Sequence, residues 1–384
     1  MSEQAGRGRA VRWGVPVAAI AMVAGAVGAG PVIAAVQGDP VLPERTAEQL
    51  LADAAQAAGS GLKPMSGTVM QTASLGLPAL PQVAGMGGTS PAALLAGSHE
   101  LKVWYGGADR LRLALPGRMS ETDLIVNGDQ VWLWESDANK ATRITGGTGR
   151  VPVGPEHALP AAMTPQQLAG EVLRKAGPDT VVGVTNTERV ADRPAYQLVL
   201  TPKDGSSLIR EVKLALDGET FVPLRVQVYA RSAAEPAFEI GFTSVTFTPP
   251  APDNFTFTPP AGTKVEEKSL ADAGRMLEAR QERAEGLKDR VKTVGGGWTS
   301  VAVFPFSARD LGAQVERGQG GRPGGQDASA IIGALLKSAT RVNGPWGGGR
   351  VVQTKLLSAL LTDDGRLLVG AVTPAKLAEA AGRR

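Results

Sequence analysis

Apolar and polar residues alternate with a period of two along most of this chain, the pattern of strands that bury one face. In Arg110 to Leu115, for example, three leucines alternate with arginines and alanine. Turn sequences such as Asn127-Gly128-Asp129 separate successive runs, so neighbouring strands should pair antiparallel. The runs predicted as strands are Gly67–Ala73, His99–Tyr105, Arg110–Leu115, Glu121–Val126, Gln130–Glu135, Lys140–Ile144, Val181–Val190, Ala195–Leu200, Ile209–Leu216, Leu224–Ala230 and Phe238–Phe247.

Two segments instead have the spacing of amphipathic helices. Glu48–Ala58 places Leu50 and Ala54 on one face behind Thr46 as a cap, and Thr164–Ala176 begins with Pro165 at its first helical position. A sheet of about ten strands carries more apolar surface than short connections can cover, so it should curl over these helices. The predicted fold class is α+β, with a strongly curved antiparallel sheet, a half-open barrel, covered by helices.

The pattern changes after this sheet. Residues 249–264 are rich in proline, and 265–291 are polar and charged, which indicates a helix or linker. Beyond it, Thr299–Phe306, Arg350–Leu361 and Arg366–Ala371 are predicted to be extended, and Pro374–Ala381 helical. We therefore divide the chain into an N-terminal signal or anchor segment (1–38), a half-barrel domain (42–262), a charged helical linker (263–292) and a small C-terminal α+β domain (293–384).

The N-terminal segment indicates export. Arg7, Arg9 and Arg12 precede an uncharged stretch in which residues 14–36 form an apolar run of 23 residues, and about 20 are needed to span a bilayer. Val32-Ile33-Ala34 also fits a signal-peptide cleavage site. Two outcomes stay open: an uncleaved membrane anchor, or a secreted protein. In both, the positive-inside rule places the rest of the chain on the extracytoplasmic side.

Composition argues against most catalytic chemistry. The 384 residues include no cysteine and only two histidines, His99 and His157, so thiolate catalysis, cysteine metal sites and most histidine-based catalysis are excluded or disfavoured. Lys and Arg (40) nearly balance Asp and Glu (37), which gives no electrostatic reason to expect a nucleic-acid partner. We expect no enzymatic activity, cofactor or metal.

One segment is unusual because it has no charge. Between Lys63 and Glu100 every residue is uncharged or the histidine His99, and aliphatic side chains are mixed with proline and glycine. Such a loop should cover an apolar surface. It either caps the core of the sheet or forms a mobile lid, with Leu77 and Leu80, over an apolar cavity. Two positions are also open for the side chains of Trp132 and Trp134: they either border the cavity or are buried within a central strand.

These features together resemble a known superfamily. The residues that carry the resemblance are the anchor-like N-terminus, the first helix, the strand Ser66-Gly67-Thr68-Val69, the pair Val103-Trp104-Tyr105 and Val131-Trp132-Leu133-Trp134, and Val222-Pro223-Leu224-Arg225-Val226. Over roughly residues 42–262 they are similar to the superfamily of the lipoprotein carrier LolA and the envelope-stress regulator RseB, in particular to actinobacterial membrane-associated LolA-like proteins. The segment from Trp298 to Pro374 more weakly resembles the C-terminal domain of RseB. The resemblance implies an open, curved sheet that holds acyl chains in its hollow.

Two functional hypotheses follow. The first is an exported, membrane-attached, non-enzymatic protein that holds lipid or lipoprotein acyl chains, with membrane attachment through residues 14–36. Its candidate cavity-lining residues, some of which could equally belong to the core, are Leu111, Leu113, Leu224, Val226, Phe238 and Ile240. The alternative is an RseB-like regulatory module that binds another envelope protein through its C-terminal domain. A carrier should then tolerate deletion beyond Val291, and Trp298 or Trp346 should be available for cross-linking to a partner.

Overall fold

A computed structural model describes most of the chain beyond its N-terminal segment. The described residues are 41–59, 63–76, 96–145, four positions between 164 and 169, 177–269, 291–306 and 338–383. Among these residues, no helix is long and apolar enough to cross a membrane. The proposed anchor (14–36) and the lid residues Leu77 and Leu80 lie outside the described residues.

A large sheet of twelve strands dominates the fold. It is curved and does not close into a barrel. Its strands are β1 (Met65–Ser74), β2 (Ala96–Gly107), β3 (Arg110–Pro116), β4 (Glu121–Asn127), β5 (Gln130–Glu135), β6 (Lys140–Thr145), β7 (Thr180–Val190), β8 (Arg193–Pro202), β9 (Ile209–Asp217), β10 (Pro223–Ala230), β11 (Pro236–Thr246) and β12 (Lys264–Ser269), in the spatial order β12-β6-β5-β4-β3-β2-β1-β11-β10-β9-β8-β7.

Eleven of these strands match the runs predicted from the period-two pattern, and their neighbours pair antiparallel. The exception is β12, which pairs parallel with β6, Lys264 opposite Lys140. The prediction of a helix or linker from residue 265 is therefore wrong for its first residues. The large sheet extends beyond the boundary at 262 because the chain crosses the sheet before adding this strand.

The helix α1 (Ala47–Gly59) packs on the inner face of the large sheet, where Leu50 and Ala54 are buried in its core. Thr46 caps the helix as predicted, since its Oγ1 accepts a hydrogen bond from the Gln49 backbone N–H. Of the second predicted helix, Pro165, Leu168 and Ala169 are described and helical. Ala169 is buried in the same core. Strands dominate the described residues, so the α+β description gave helices too much weight.

The C-terminal residues form a second sheet of six antiparallel strands. Its strands are β13 (Lys292–Val294), β14 (Val301–Pro305), β15 (Thr340–Gly344), β16 (Gly347–Gln353), β17 (Ser358–Thr362) and β18 (Arg366–Gly370), followed by the helix α2 (Pro374–Gly382). The extended run predicted over 350–361 is in fact two strands, because the chain turns at Thr354, whose hydroxyl accepts the backbone N–H groups of Leu356 and Leu357. Leu360, Leu368 and Leu377 centre a separate small core.

The two sheets are joined by direct contacts. Trp298, from the short 3-10 helix Gly297–Thr299, is buried in the core of the large sheet, and its indole Nε1–H donates to Thr180 Oγ1 at 2.7 Å. The Leu208 backbone N–H donates to Ala371 O at 2.9 Å, and the Lys355 backbone N–H donates to Leu75 O at 2.9 Å. Trp298 is therefore not an accessible cross-linking site, contrary to the sequence-based expectation.

The antiparallel order places successive turns at opposite rims of the large sheet. One rim carries the turns at 191–192 and 218–222, where Leu42 contacts Gly218; we call it the Leu42 rim. The opposite rim carries the turns at 203–208 and 231–235 and the start of β7 at Thr180, against which Trp298 packs; we call it the Trp298 rim.

Candidate functional site

The inner face of the large sheet is mainly apolar, although the register also places Gln71, opposite both Ile240 and His99, on this face. All six predicted lining residues lie in or against the same core cluster. The register explains this, since Leu113 lies opposite both Val103 and Leu124, and Val226 lies opposite both Leu214 and Ile240. Side chains at directly opposed positions share a face, so the aliphatic residues form continuous rows across the strands.

Most of these residues are packed rather than open. Leu111, Leu113, Leu224, Val226 and Ile240 are only 0 to 2% exposed, so almost none of their surface can contact water. Phe238 differs, because it packs against the cluster but is only partly buried. In this conformation, five of the six predicted lining residues are core residues, and a ligand could reach them only if covering elements moved.

Partly buried apolar residues mark where this inner face opens. Tyr105, at the end of β2, and Ile144, at the end of β6, pack against the core near the Leu42 rim. They belong to one row, in which Tyr105 lies opposite Leu111 and Ile144 lies opposite Val131. Phe238 is at the start of β11, near the Trp298 rim. The apolar face is therefore partly exposed towards both rims.

The outer face of β2 to β6 carries aromatic and arginine side chains. Trp132 and Trp134 point to this face, and both contact Phe257, with ring centroids 5.4 and 5.9 Å apart. The arginine Arg112 lies over Trp104, and Arg143 over Trp132. The two tryptophans of β5 therefore do not border the inner face. They are also not fully buried in a central strand, since both are half-buried on the outer face in contact with Phe257.

A strap formed by residues 247–263 crosses this outer face on its way from β11 to β12. Its short 3-10 helix, Pro252–Phe255, buries Phe255, whose ring packs against Gly106; a Cβ on that glycine would lie 3.0 Å from Phe255 Cζ. The strap residues were missed by sequence reasoning, which treated the proline-rich stretch as a boundary. Their signal was the pair Phe255 and Phe257, two aromatics among prolines and threonines.

Asp123 is the most perturbed carboxylate among the described residues. It is buried on the outer face, where Arg112 Nε donates to its Oδ2 at 3.1 Å, while its Oδ1 has no hydrogen-bond partner. Burial raises the pKa of Asp123 to about 6, despite the opposing attraction of Arg112. The pKa of Asp217, which is equally buried, is shifted in the opposite direction. Burial would raise its pKa, but hydrogen bonds from Arg193 and Thr220 outweigh that effect and lower it.

The described residues contain no cluster of three or more His, Cys, Asp or Glu side chains that could hold a metal ion. His99 lies within β2, opposite Gln71 of β1, and the other histidine, His157, is outside the described residues. Asp363 and Asp364 occupy the turn between β17 and β18, where Arg366 pairs with Asp364. These two aspartates therefore belong to a turn rather than to a metal site.

Comparison with known proteins gives structural neighbours only. No protein-family model and no curated protein matches the chain. Among solved structures, the Pseudomonas aeruginosa MucA/MucB complex is 15% identical with a TM-score of 0.38, covering 87% of this chain and 96% of that chain. A LolA superfamily protein from Nitrosomonas europaea is 13% identical with a TM-score of 0.21, covering 56% of this chain and 99% of that chain.

A third similar structure is a domain described as a putative outer membrane lipoprotein-sorting protein from Vibrio parahaemolyticus. It is 13% identical with a TM-score of 0.22, and the match covers 55% of this chain and 97% of that chain. Because all three TM-scores lie below 0.5, function has to be argued from the contacts of this chain.

Proposed function

We propose that this protein is an exported, membrane-attached and non-enzymatic binding protein that holds lipid or lipoprotein acyl chains against the inner face of its large sheet. The observation that carries the proposal is the single apolar cluster that runs across this face, partly exposed at Tyr105, Ile144 and Phe238. The remaining lining residues are Leu111, Leu113, Leu224, Val226 and Ile240. Membrane attachment is proposed through residues 14–36, and Leu77 and Leu80 remain proposed lid residues.

Because the lining residues are packed, binding requires elements that cover the core to move, and α1 is one of the described elements that contribute side chains to this core. Lifting α1 exposes Leu50 and Ala54, which are buried. Burying a leucine is worth about 1.5 to 3 kcal/mol and a methyl group about 0.8 kcal/mol, so displacing these two side chains costs about 3 kcal/mol. An acyl chain gains about 0.8 kcal/mol per buried CH₂. About four buried methylenes therefore offset the loss, and a longer chain gives net binding without any charged contact.

The proposal is tested by titrating the full chain with palmitate and measuring the complex by native mass spectrometry. Phe238→Asn removes a partly exposed apolar contact from the inner face and should weaken palmitate binding by about tenfold, the equivalent of about 1.4 kcal/mol. Glu239→Asn is the matched control, since the neighbouring side chain points to the outer face, where Gln227 donates to it at 3.0 Å. An unchanged affinity in Phe238→Asn, or no palmitate uptake by the unaltered chain, contradicts acyl binding on this face.

A second candidate function is favoured by the edge of the six-stranded sheet. Among the described residues, the strand β15 stands at that edge and pairs with β16 on one side, and its Thr340, Arg341 and Asn343 are exposed. An exposed edge strand can accept a strand from a partner chain. The alternative function is therefore regulation of an envelope membrane protein through this domain.

This alternative is tested with a photo-cross-linking residue introduced at Asn343, with Glu379 on α2 as the control position. Irradiation of intact cells should give an adduct with a membrane protein from position 343 only. Adducts from both positions, or from neither, contradict binding at this edge.

A further inference from the structure

The chain enters the large sheet at a fixed point. The Leu42 backbone N–H donates to Asn186 O at 3.1 Å, and Asn186 Nδ2 donates back to Leu42 O at 2.7 Å. Tyr196 Oη–H donates to Pro43 O at 2.9 Å. The Leu42 side chain lies directly on Gly218, where a Cβ would be 2.7 Å from Leu42 Cδ1. Leu42 is therefore held at the turn between β9 and β10.

Few residues separate this point from the proposed anchor. The apolar run ends at residue 36, and six residue steps lead from there to Leu42. A fully extended chain spans at most about 3.3 to 3.6 Å per residue, so these six steps cover at most about 22 Å. If residues 14–36 cross the membrane, the turn at Gly218 cannot lie farther than this from the point where the anchor leaves the bilayer.

The six-stranded sheet lies at the other rim. Its contacts are with Thr180, Leu208 and Leu75, all at or next to strand ends of the Trp298 rim. The strand β8, Arg193–Pro202, runs from one rim to the other with 10 residues. At about 3.3 Å per residue, the two rims are about 30 Å apart.

We infer that the Leu42 rim faces the lipid surface and that the six-stranded sheet projects away from it. This inference rests on the membrane attachment proposed above and adds the orientation of the attached protein. Tyr105 and Ile144, the partly exposed inner-face residues near this rim, then form the entrance for an acyl chain leaving the bilayer. A protein partner of the six-stranded sheet must accordingly extend at least about 30 Å above the membrane to reach it.

The charges of this rim are mixed, so the tether rather than adsorption should keep it near the membrane. Four of its turns present an exposed carboxylate, and these are Asp109, Asp129, Asp192 and Glu219. Arginines lie beside two of them, Arg110 at 3.9 Å from Asp109 and Arg193 at 3.2 Å from Glu219. Attraction and repulsion by anionic headgroups both act within about a Debye length, roughly 8 to 10 Å at moderate salt, and therefore oppose each other here. A longer spacer should therefore let the rim move away from the lipid surface.

The orientation can be measured because the chain has no cysteine, so one introduced cysteine gives one label. Glu219→Cys at the Leu42 rim and Glu235→Cys at the Trp298 rim are matched, since both glutamates are exposed and lie in turns. Each full-length variant is labelled with a small fluorophore and reconstituted into phosphatidylcholine and phosphatidylglycerol vesicles that carry a headgroup spin label. Quenching should be at least twofold stronger at position 219 than at position 235.

An inserted glycine-serine spacer of about 20 residues after Pro40 provides the second measurement. It should reduce the quenching at position 219 towards that at 235, because the reach of the tether grows with its length. Equal quenching of the two labels in the unaltered chain, or stronger quenching at 235, overturns the orientation. Failure of the protein to float with the vesicles is a different result, since it overturns membrane attachment and the orientation with it.

Discussion

The burial of Trp298 makes the large sheet depend on the C-terminal residues. This tryptophan is 6% exposed, packs in the core of the large sheet and donates its indole N–H to the buried Thr180. Truncation of a buried Trp to Ala typically costs about 3 to 5 kcal/mol. The substitution Trp298→Ala should therefore remove a large part of a total stability that is usually about 5 to 15 kcal/mol.

The loss can be measured by urea unfolding of the full chain. With a denaturant slope of about 3 kcal/mol per molar, a loss of about 3 to 5 kcal/mol lowers the midpoint by about 1 to 1.7 M. Trp298→Phe keeps most of the ring but removes the hydrogen bond to Thr180, so it should cost about 1 to 2 kcal/mol. Trp346→Ala is the control, because Trp346 is only partly buried and packs against the smaller core.

Truncation after Val291 gives the decisive comparison. We expect the truncated chain to unfold at a lower urea concentration than the full chain, because it lacks Trp298 and the contacts to Leu208 and Leu75. If the truncated and full chains share one midpoint for the large sheet, or if Trp298→Ala leaves the midpoint unchanged, the reasoning is refuted. That result would agree with the expectation that a carrier tolerates deletion beyond Val291.

Two further predictions concern single residues of the large sheet. The pKa of Asp123 is raised from 3.8 to about 6 on folding, so the folded state binds a proton more tightly, and this group's contribution to stability falls as pH rises from about 4 to 6. Asp123→Asn should flatten that part of a plot of urea midpoint against pH; an unchanged slope contradicts the assignment. Gly218→Ala places a Cβ 2.7 Å from Leu42 and should cost about 1 to 3 kcal/mol in thermal unfolding, whereas Gly205→Ala, with open space around it, should be neutral.

The strands could be predicted because their signal is local. Alternation of polar and apolar residues and turn sequences such as Asn127-Gly128-Asp129 reflect burial on one face and backbone conformation, both of which depend on near neighbours. The parallel strand β12 could not be predicted in this way. Its sequence, Lys-Val-Glu-Glu-Lys-Ser, has little apolar content, and its partner Lys140–Thr145 lies more than a hundred residues earlier.

The candidate site was predicted in one respect and not in another. Alternation places Leu113 and Val226 on the apolar face, as the structure does. Whether that face is open depends on which elements pack over it. The burial of Leu50 against the sheet is a long-range contact, and the spacing of apolar residues along the sequence does not predict such contacts. For the same reason, the sequence places Trp298 in the C-terminal domain but does not indicate that its ring packs in the core of the large sheet.

The two attachment points of the large sheet also set its response to force. Leu42 is held at one end of strands β7 to β9, and the six-stranded sheet is held at the other end through Thr180 and Leu208. Tension applied between Leu42 and the C-terminal domain would act along these strands rather than across them. In that direction, the backbone hydrogen bonds between neighbouring strands share the load and must break together, so pulling should rupture contacts at the domain junction before it unzips the sheet.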